Sequence, residues 1–308
     1  MWKWSRQPTG EARREYRANP CPKANGLADV LTIALATLKE AVRRKIVLAG
    51  LLLTVGFLIL FGLGVWFAFQ ELKSEGPLDP SERAIFGGFL LSGGMWVLNF
   101  VAALLAILTA VGAVSAEVSN GTMAALAARP VPRWKILVGK ALGLALMLAA
   151  FVALSTGAVT AIVYFIAGYV PANPIIPPLL ILLAAVVMQS LALLGTTRLP
   201  TIANGILIFA LFSVGLIGGI VEQLGSVIDN AAMVNIGIVS SLVIPSRAIF
   251  EMASARLISG IASPTPGGPA ASPFALANPP SLLMAIYAVA YCFAAVALAI
   301  RSFSTRDL

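Results

Sequence analysis

Hydrophobic residues in this chain come in long runs separated by short polar stretches. Six runs, at about 46–69, 88–114, 136–167, 178–195, 201–221 and 281–300, are long enough to cross a bilayer. A hydrocarbon core of about 30 Å takes roughly 20 apolar residues in a helix. The third run exceeds that length and predicts a helix that tilts or projects into the cytoplasm. The pattern predicts an all-α, polytopic membrane protein with six transmembrane helices and a transmembrane domain over 27–308.

The segments outside the runs are not alike. Residues 1–26 are polar, basic and interrupted by Pro8, Pro20 and Pro22, which predicts a disordered cytoplasmic tail. In 27–45, Leu31, Leu35, Leu38 and Val42 share one helical face, while Asp29, Thr32, Glu40 and Arg43 share another. That periodicity predicts an amphipathic interfacial helix leading into the first span. Between the fifth and sixth spans, Ala231 to Ile244 is a charge-free run of 14 residues. It is too short for a full span and predicts a re-entrant or interfacial helix. Pro245 ends it, Ser246 suits an N-cap, and Ile249, Ala253 and Leu257 line one face of a second short helix. Six prolines within 262–280 make an extended connector. If the 231–244 run did span, the C-terminus would move to the other side.

Composition narrows the class. Of 308 residues, 59% are hydrophobic and 11% are charged, against roughly 25% charged in soluble domains. That excludes a soluble domain, a disordered chain and a coiled coil. The chain has no histidine, which excludes Ser/His triads, HExxH metalloproteases and His-ligated haem. Cys21 and Cys292 lie in a polar tail and an apolar run, so a disulfide framework is not expected.

The net charge of +8 is explained by its distribution. Ten Lys and Arg lie in 1–45, four in 115–140, one at Arg198 and two in the tail, Arg301 and Arg306. These 17 share one side, and Lys73, Arg83, Arg247 and Arg256 are the four on the other. The asymmetry predicts that both termini are cytoplasmic, and it explains the basic charge with no nucleic-acid partner. The first span reads as an uncleaved anchor rather than a signal peptide, because 45 mostly polar residues precede it.

The spans lack acids and bases away from their ends, which argues against an ion-coupled carrier. Asn99 and Gln189 are the notable amides within them; either a substrate path or helix-to-helix hydrogen bonding suits them. Ala145, Ala149, Ala153, Gly157 and Ala161 form a small-residue stripe, and Gly215 and Gly219 a second one. Such stripes predict close packing within the subunit or across a dimer. Gly139-Lys140 is followed by Ala141 and lacks an upstream glycine, so it is no phosphate-binding loop. No catalytic, cofactor or metal site is expected in this chain. A membrane-embedded enzyme would need clustered polar residues within the spans, and they are absent.

The stretch 115–140 carries the most information. Glu117 stands at a membrane boundary, Asn120-Gly121 signals a turn, and Thr122 can cap a short helix that Pro130 ends. Arg133, Trp134 and Lys135 form a basic, aromatic shoulder. The pattern made by Glu117, Gly121, Thr122, Arg129, Pro130, Val131, Arg133, Gly139 and Lys140 resembles permease subunits of ABC-2-type ABC transporters. Residues 37–45, Leu199 to Gly205 and Arg301 to Leu308 resemble the same family, closest to the group containing the permease for copper-enzyme maturation in denitrifiers (NosY-like).

The resemblance implies a permease, in particular an exporter, paired with a second copy of itself and with two ABC ATP-binding subunits. ATP and Mg would bind those partners, not this chain. The 115–140 loop would be a coupling helix seated in the ATPase, with Glu117 orienting it. Residues 196–204, with Arg198, would form a smaller second contact, and 222–260 an outer gate. Arg129 and Arg133 suit either the ATPase or lipid headgroups. The alternative is a non-transport membrane assembly or mechanotransmission component that still partners an ATPase.

Overall fold

A computed structural model describes residues 26–74, 79–113, 132–258 and 280–304. Among these residues every regular element is an α-helix. In chain order they are α1 (Gly26–Arg43), α2 (Lys45–Ser74), α3 (Pro80–Val111), α4 (Arg133–Ala167) and α5 (Ile176–Thr196). They continue with α6 (Thr201–Val227), α7 (Ala231–Val243), α8 (Ser246–Ile258) and α9 (Leu282–Ser304). Six of them, α2 to α6 and α9, are long and apolar enough to cross a membrane. The tail at 1–25 and the proline-rich connector at 259–279 lie outside the described residues.

Sequence punctuation sets the helix ends. Pro80 occupies the first turn of α3, and the Glu82 carboxylate accepts from the Asp79 N–H at 3.3 Å. α4 ends at Gly168, whose φ of 68° closes the helix with its N–H on the Tyr164 carbonyl. That backbone conformation costs glycine nothing. Inside the spans, Thr109, Ser155 and Thr156 donate to carbonyls four residues back. Apolar surroundings offer these hydroxyls no water, so each finds a partner within its own helix.

The core lies between α3, α4, α5 and α8. Leu91, Met95 and Leu98 of α3 meet Leu148 and Val159 of α4, Ile181 and Met188 of α5, and Phe250 of α8. In its most apolar stretch α3 is 72% buried, whereas α2 is only 11% buried. A transmembrane helix can leave Leu52, Leu60 and Phe67 uncovered by protein, because lipid solvates them. α4 has 35 residues, or about 52 Å at 1.5 Å per residue, well beyond a 30 Å core. The surplus projects: Lys140 lies level with Ala113 at the end of α3, so Arg133–Gly139 extends about two turns further.

α1 is a separate amphipathic helix, but the face it buries is not the one the leucine spacing singles out. Val30, Ala34 and Ala41 are buried, while Leu31, Leu35 and Val42 are exposed. Val30, Ile33, Ala34 and Thr37 approach Gly139 and Gly143 of α4, and Leu31, Leu35 and Val42 are left for the membrane surface. The two stripes of small residues also part company. Gly215 and Gly219 of α6 receive Ile244 and Arg247. Gly157 of α4 has nothing near it, and Ala153 is exposed.

α7 and α8 are two helices of 13 residues bent by 105° at Ile244-Pro245. α7 folds back along α6, and α8 turns inward onto α5 and α3. Thirteen residues reach about 20 Å, less than the 30 Å core. Ser246 belongs to α8 rather than capping it; the first accepting carbonyl is that of Pro245, from Ile249 N–H at 3.1 Å. Ile249, Ala253 and Leu257, the face expected to pack, are fully buried.

Candidate functional site

Two regions concentrate polar interactions: the α3–α4 end with its neighbouring α5–α6 turn, and the α7–α8 bend at the far end of α6.

At the first, α3 closes at Gly112, and both Gly112 and Ala113 donate their N–H to the Ala110 carbonyl. Glu117, Asn120, Gly121, Thr122, Arg129 and Pro130 follow in a stretch that lies outside the described residues. The chain is described again from Pro132, which starts α4 and accepts from the Lys135 N–H. Arg133 is the first residue of α4, and Trp134 beside it is 48% exposed.

Below that connection three helix ends are tied together. The Lys135 ammonium donates to the Asp29 carboxylate of α1 at 3.0 Å, with both side chains largely covered. The Lys140 ammonium is buried and donates to the Ala113 carbonyl at the end of α3. A cation there answers the negative end of the α3 dipole and one of its orphan carbonyls. A Cβ on Gly139 would fall 2.6 Å from Ile33, and one on Gly143 would fall 2.5 Å from the Ala34 carbonyl oxygen. Two glycines one turn apart therefore let α1 lie against α4 at backbone distance. Gly139 and Lys140 thus serve as framework: one seats α1, the other closes α3.

The α5–α6 turn is built as tightly. Asn204, fully buried, donates to the Ala192 carbonyl at 2.9 Å. Its other amide atom lies over Gly195, where a Cβ would sit 1.9 Å away. Arg198 is exposed on this turn; its Nε donates to the Ser302 hydroxyl of α9 at 3.0 Å. Thr197 donates to the Leu194 carbonyl, and its hydroxyl lies 3.0 Å from that of Ser302.

The two amides considered for a substrate path are both buried, Asn99 on α3 and Gln189 on α5. Gln189 donates to the Ala141 carbonyl of α4 at 2.8 Å, a bond between helices. No group of acids, cysteines or histidines able to hold a metal occurs among the described residues.

In the second region the sequence singled out the short helices but not the polar side chains that join them. Arg247 and Glu251 of α8 form an ion pair at 2.8 Å, with side-chain exposures of 6% and 1%. The Arg247 side chain lies across Gly219 of α6, one turn before Glu222, whose charge also acts on it. The bend leaves the last carbonyls of α7 without helical donors, and α9 supplies them. Tyr287 donates to Leu242 O at 2.7 Å and Tyr291 to Val243 O at 3.1 Å. At the other end of α8, Tyr169 donates to Leu257 O at 2.7 Å. Burial pushes the Tyr169 phenol above its usual pKa, so it remains a donor. The one legible signal was the Arg247…Glu251 spacing in an otherwise apolar stretch; the tyrosines lie 45 or more residues in sequence from the carbonyls they reach and gave none.

No curated protein matches the sequence. The family model described as ABC-2 family transporter protein matches residues 31–308, at the level of the family and not of a subgroup. With six candidate membrane-spanning helices and a match over nearly the whole chain, this protein is a multi-pass membrane member of the ABC-2 transporter family.

Proposed function

We propose that this chain is the permease subunit of an ATP-driven exporter, acting as a pair of copies with two separate ATPase subunits in a bacterial or archaeal cytoplasmic membrane. The observation that carries the reading is the frame under the 114–131 connection. α4 projects about two turns past α3, and Lys140, the Lys135–Asp29 pair and the Gly139/Gly143 seat join α1, α3 and α4 there. A displacement of the connection is then passed to three helices at once, as coupling of ATP hydrolysis to span movement requires. In this reading Glu117, Asn120, Gly121, Thr122, Arg129, Pro130, Arg133 and Trp134 form the coupling segment, and the turn bearing Arg198 makes a second, smaller contact with the ATPase. ATP and Mg bind the partner. The α7–α8 pair serves as the gate on the opposite face, held shut by Arg247 and Glu251.

The test is affinity capture of the tagged chain from detergent-solubilised native membranes, with identification of co-purifying proteins and an ATPase assay. An ABC ATPase is expected in the eluate, and Glu117→Ala is expected to lower its recovery or turnover. Recovery of the folded chain with no ATPase would overturn the proposal.

A further inference from the structure

α7 and α8 are neighbours in sequence but not in packing. Apart from Gly237 and Ser241 no residue of α7 is buried, whereas every residue from Ile244 to Ser254 is. α7 is fastened to α6 instead, at three levels. Ser240 lies on Gly218, Gly237 on Glu222, and Met233 on Gly225, where a Cβ would also fall 2.9 Å from the Val234 nitrogen. Gly218, Glu222 and Gly225 share one face of α6, at i, i+4 and i+7. Their partners on α7 are spaced alike and run in the opposite direction, so the two backbones close on one another. The turn between the helices is braced as well. The Asn230 N–H donates to the Gly225 carbonyl at 2.8 Å, and the Asn230 side chain accepts from the Ala232 and Met233 N–H groups at 3.0 and 3.3 Å.

The joints of this pair lie at one level. Past Phe212 the buried residues of α6 are all glycines, Gly215, Gly218, Gly219 and Gly225. The first three crowd into 215–219, where a helix loses propensity and bends most readily. Gly215 faces Ile244, the last residue before the break at Pro245. Toward Thr201, α6 is anchored by Phe212 against Phe100 of α3 and by Asn204 on the Ala192 carbonyl. Toward Val227, α8 reaches it through Arg247, which Glu251 holds at Nε and which lies across Gly219 within the field of Glu222. Tyr287 and Tyr291 of α9 hold the last carbonyls of α7 beside the break.

We propose that residues 220–243, the end of α6 with all of α7, form a rigid arm that swings on two hinges, 215–219 and Ile244-Pro245, against an α8 that stays with α3 and α5. Arg247, oriented by Glu251, is its latch. From Gly215 to Val227 the arm reaches about 18 Å at 1.5 Å per residue. A kink of roughly 20° at the glycines carries its tip about 6 Å. In the gate proposed above α7 is then the moving half and α8 the frame; that use rests on the permease reading, while the motion does not.

The test is pulsed electron paramagnetic resonance on the full-length chain in detergent, without ATPase, in a background with Cys21→Ser and Cys292→Ala. Labelled chain is diluted with unlabelled chain, so that distances within one copy are read. One pair of spin labels, at Val227 and Val239, lies within the arm; a second, at Val227 and Phe165, joins the arm to α4. All three positions are exposed. The pair within the arm is expected to give one narrow distance. The pair to α4 is expected to give a main distance and a second population displaced by about 6 Å. Glu222→Gln keeps the shape of the side chain and removes the charge that faces Arg247; it is expected to enlarge the displaced population by roughly twofold or more. Gly215→Ala, whose Cβ meets Ile244 at 3.4 Å, is expected to shrink it by stiffening the helix. An arm-to-α4 distribution as narrow as the one within the arm would overturn the hinges, and a distribution within the arm as broad as the one to α4 would overturn its rigidity. Both comparisons are made without the Glu222 and Gly215 substitutions, so they decide the matter even if those variants fail to fold. Absence of a co-purifying ATPase would count against the permease reading and leave the arm standing; a fixed arm-to-α4 distance would do the reverse.

Discussion

Gly143 has no side chain because the Ala34 carbonyl occupies the space one would need. Gly157, about four turns further along the same helix, faces open space. The pair makes a controlled comparison. Gly143→Ala is expected to lower stability by about 1–3 kcal/mol through overpacking and to loosen α1. Gly157→Ala is expected to be neutral or stabilising by up to about 1 kcal/mol, from helix propensity alone. Thermal unfolding of the two variants in detergent reads both. The buried pair in α8 obeys another logic. Glu251→Gln leaves Arg247 charged and covered, and is expected to cost about 3–5 kcal/mol. Replacing both, Arg247→Met with Glu251→Leu, is expected to recover much of that loss, because neither member of the pair is left buried without the other. A double variant no more stable than the single one would show that pairing is not what the site depends on.

Among the elements, the α7–α8 bend draws on two side chains of another helix to complete its backbone hydrogen bonds. A helix interrupted within lipid exposes carbonyls that no water can reach, so other side chains must satisfy them. Tyr287 and Tyr291 do so for Leu242 and Val243. Replacing both with Phe keeps the rings and removes the donors, at about 1–2 kcal/mol for each bond. Amides of 244–250 are then expected to exchange with deuterium faster, while those of α5 stay protected. Unchanged exchange at the bend would mean that the tyrosines do not hold it. The α1–α4 contact needs no such polar rescue, because glycines allow close approach and the Lys135–Asp29 pair fixes the register.

For the whole molecule, the question that follows is whether the bent pair counts as a crossing. Six spans place the termini on one side, and seven place them on opposite sides. The 105° bend and the inward turn of α8 onto α5 favour six. In a background with Cys21→Ser and Cys292→Ala, single cysteines at Ser5, Ser74 and Leu308 can be labelled with an impermeant maleimide. Ser5 and Leu308 are expected to react from the same side, and Ser74 from the other. Reaction of Leu308 together with Ser74 would establish seven spans.

Much of the architecture needs only the sequence. An apolar run of about 20 residues has one low-energy state in lipid, a helix, because every backbone polar group must then be satisfied locally. The six spans, the short run at 231–244 and its end at Pro245 follow from that, as does the buried face of Ile249, Ala253 and Leu257. The family pattern was also legible, since the match covers the same stretch from the first helix to the end of the chain. What periodicity could not say is which apolar face meets protein and which meets lipid. Leu31, Leu35 and Val42 are as hydrophobic as any core residue, yet they lie outside, because close approach to Gly139 and Gly143 selects the Val30, Ile33, Ala34 and Thr37 face of α1. The same holds for the pairing of Arg247 with Glu251, the tyrosine caps on α7, and the contact of Arg198 with Ser302. Local sequence determines helices, because their hydrogen bonds run between near neighbours. Partners distant in sequence are decided only when the helices pack, by shape and by the need to leave no buried charge or carbonyl unanswered.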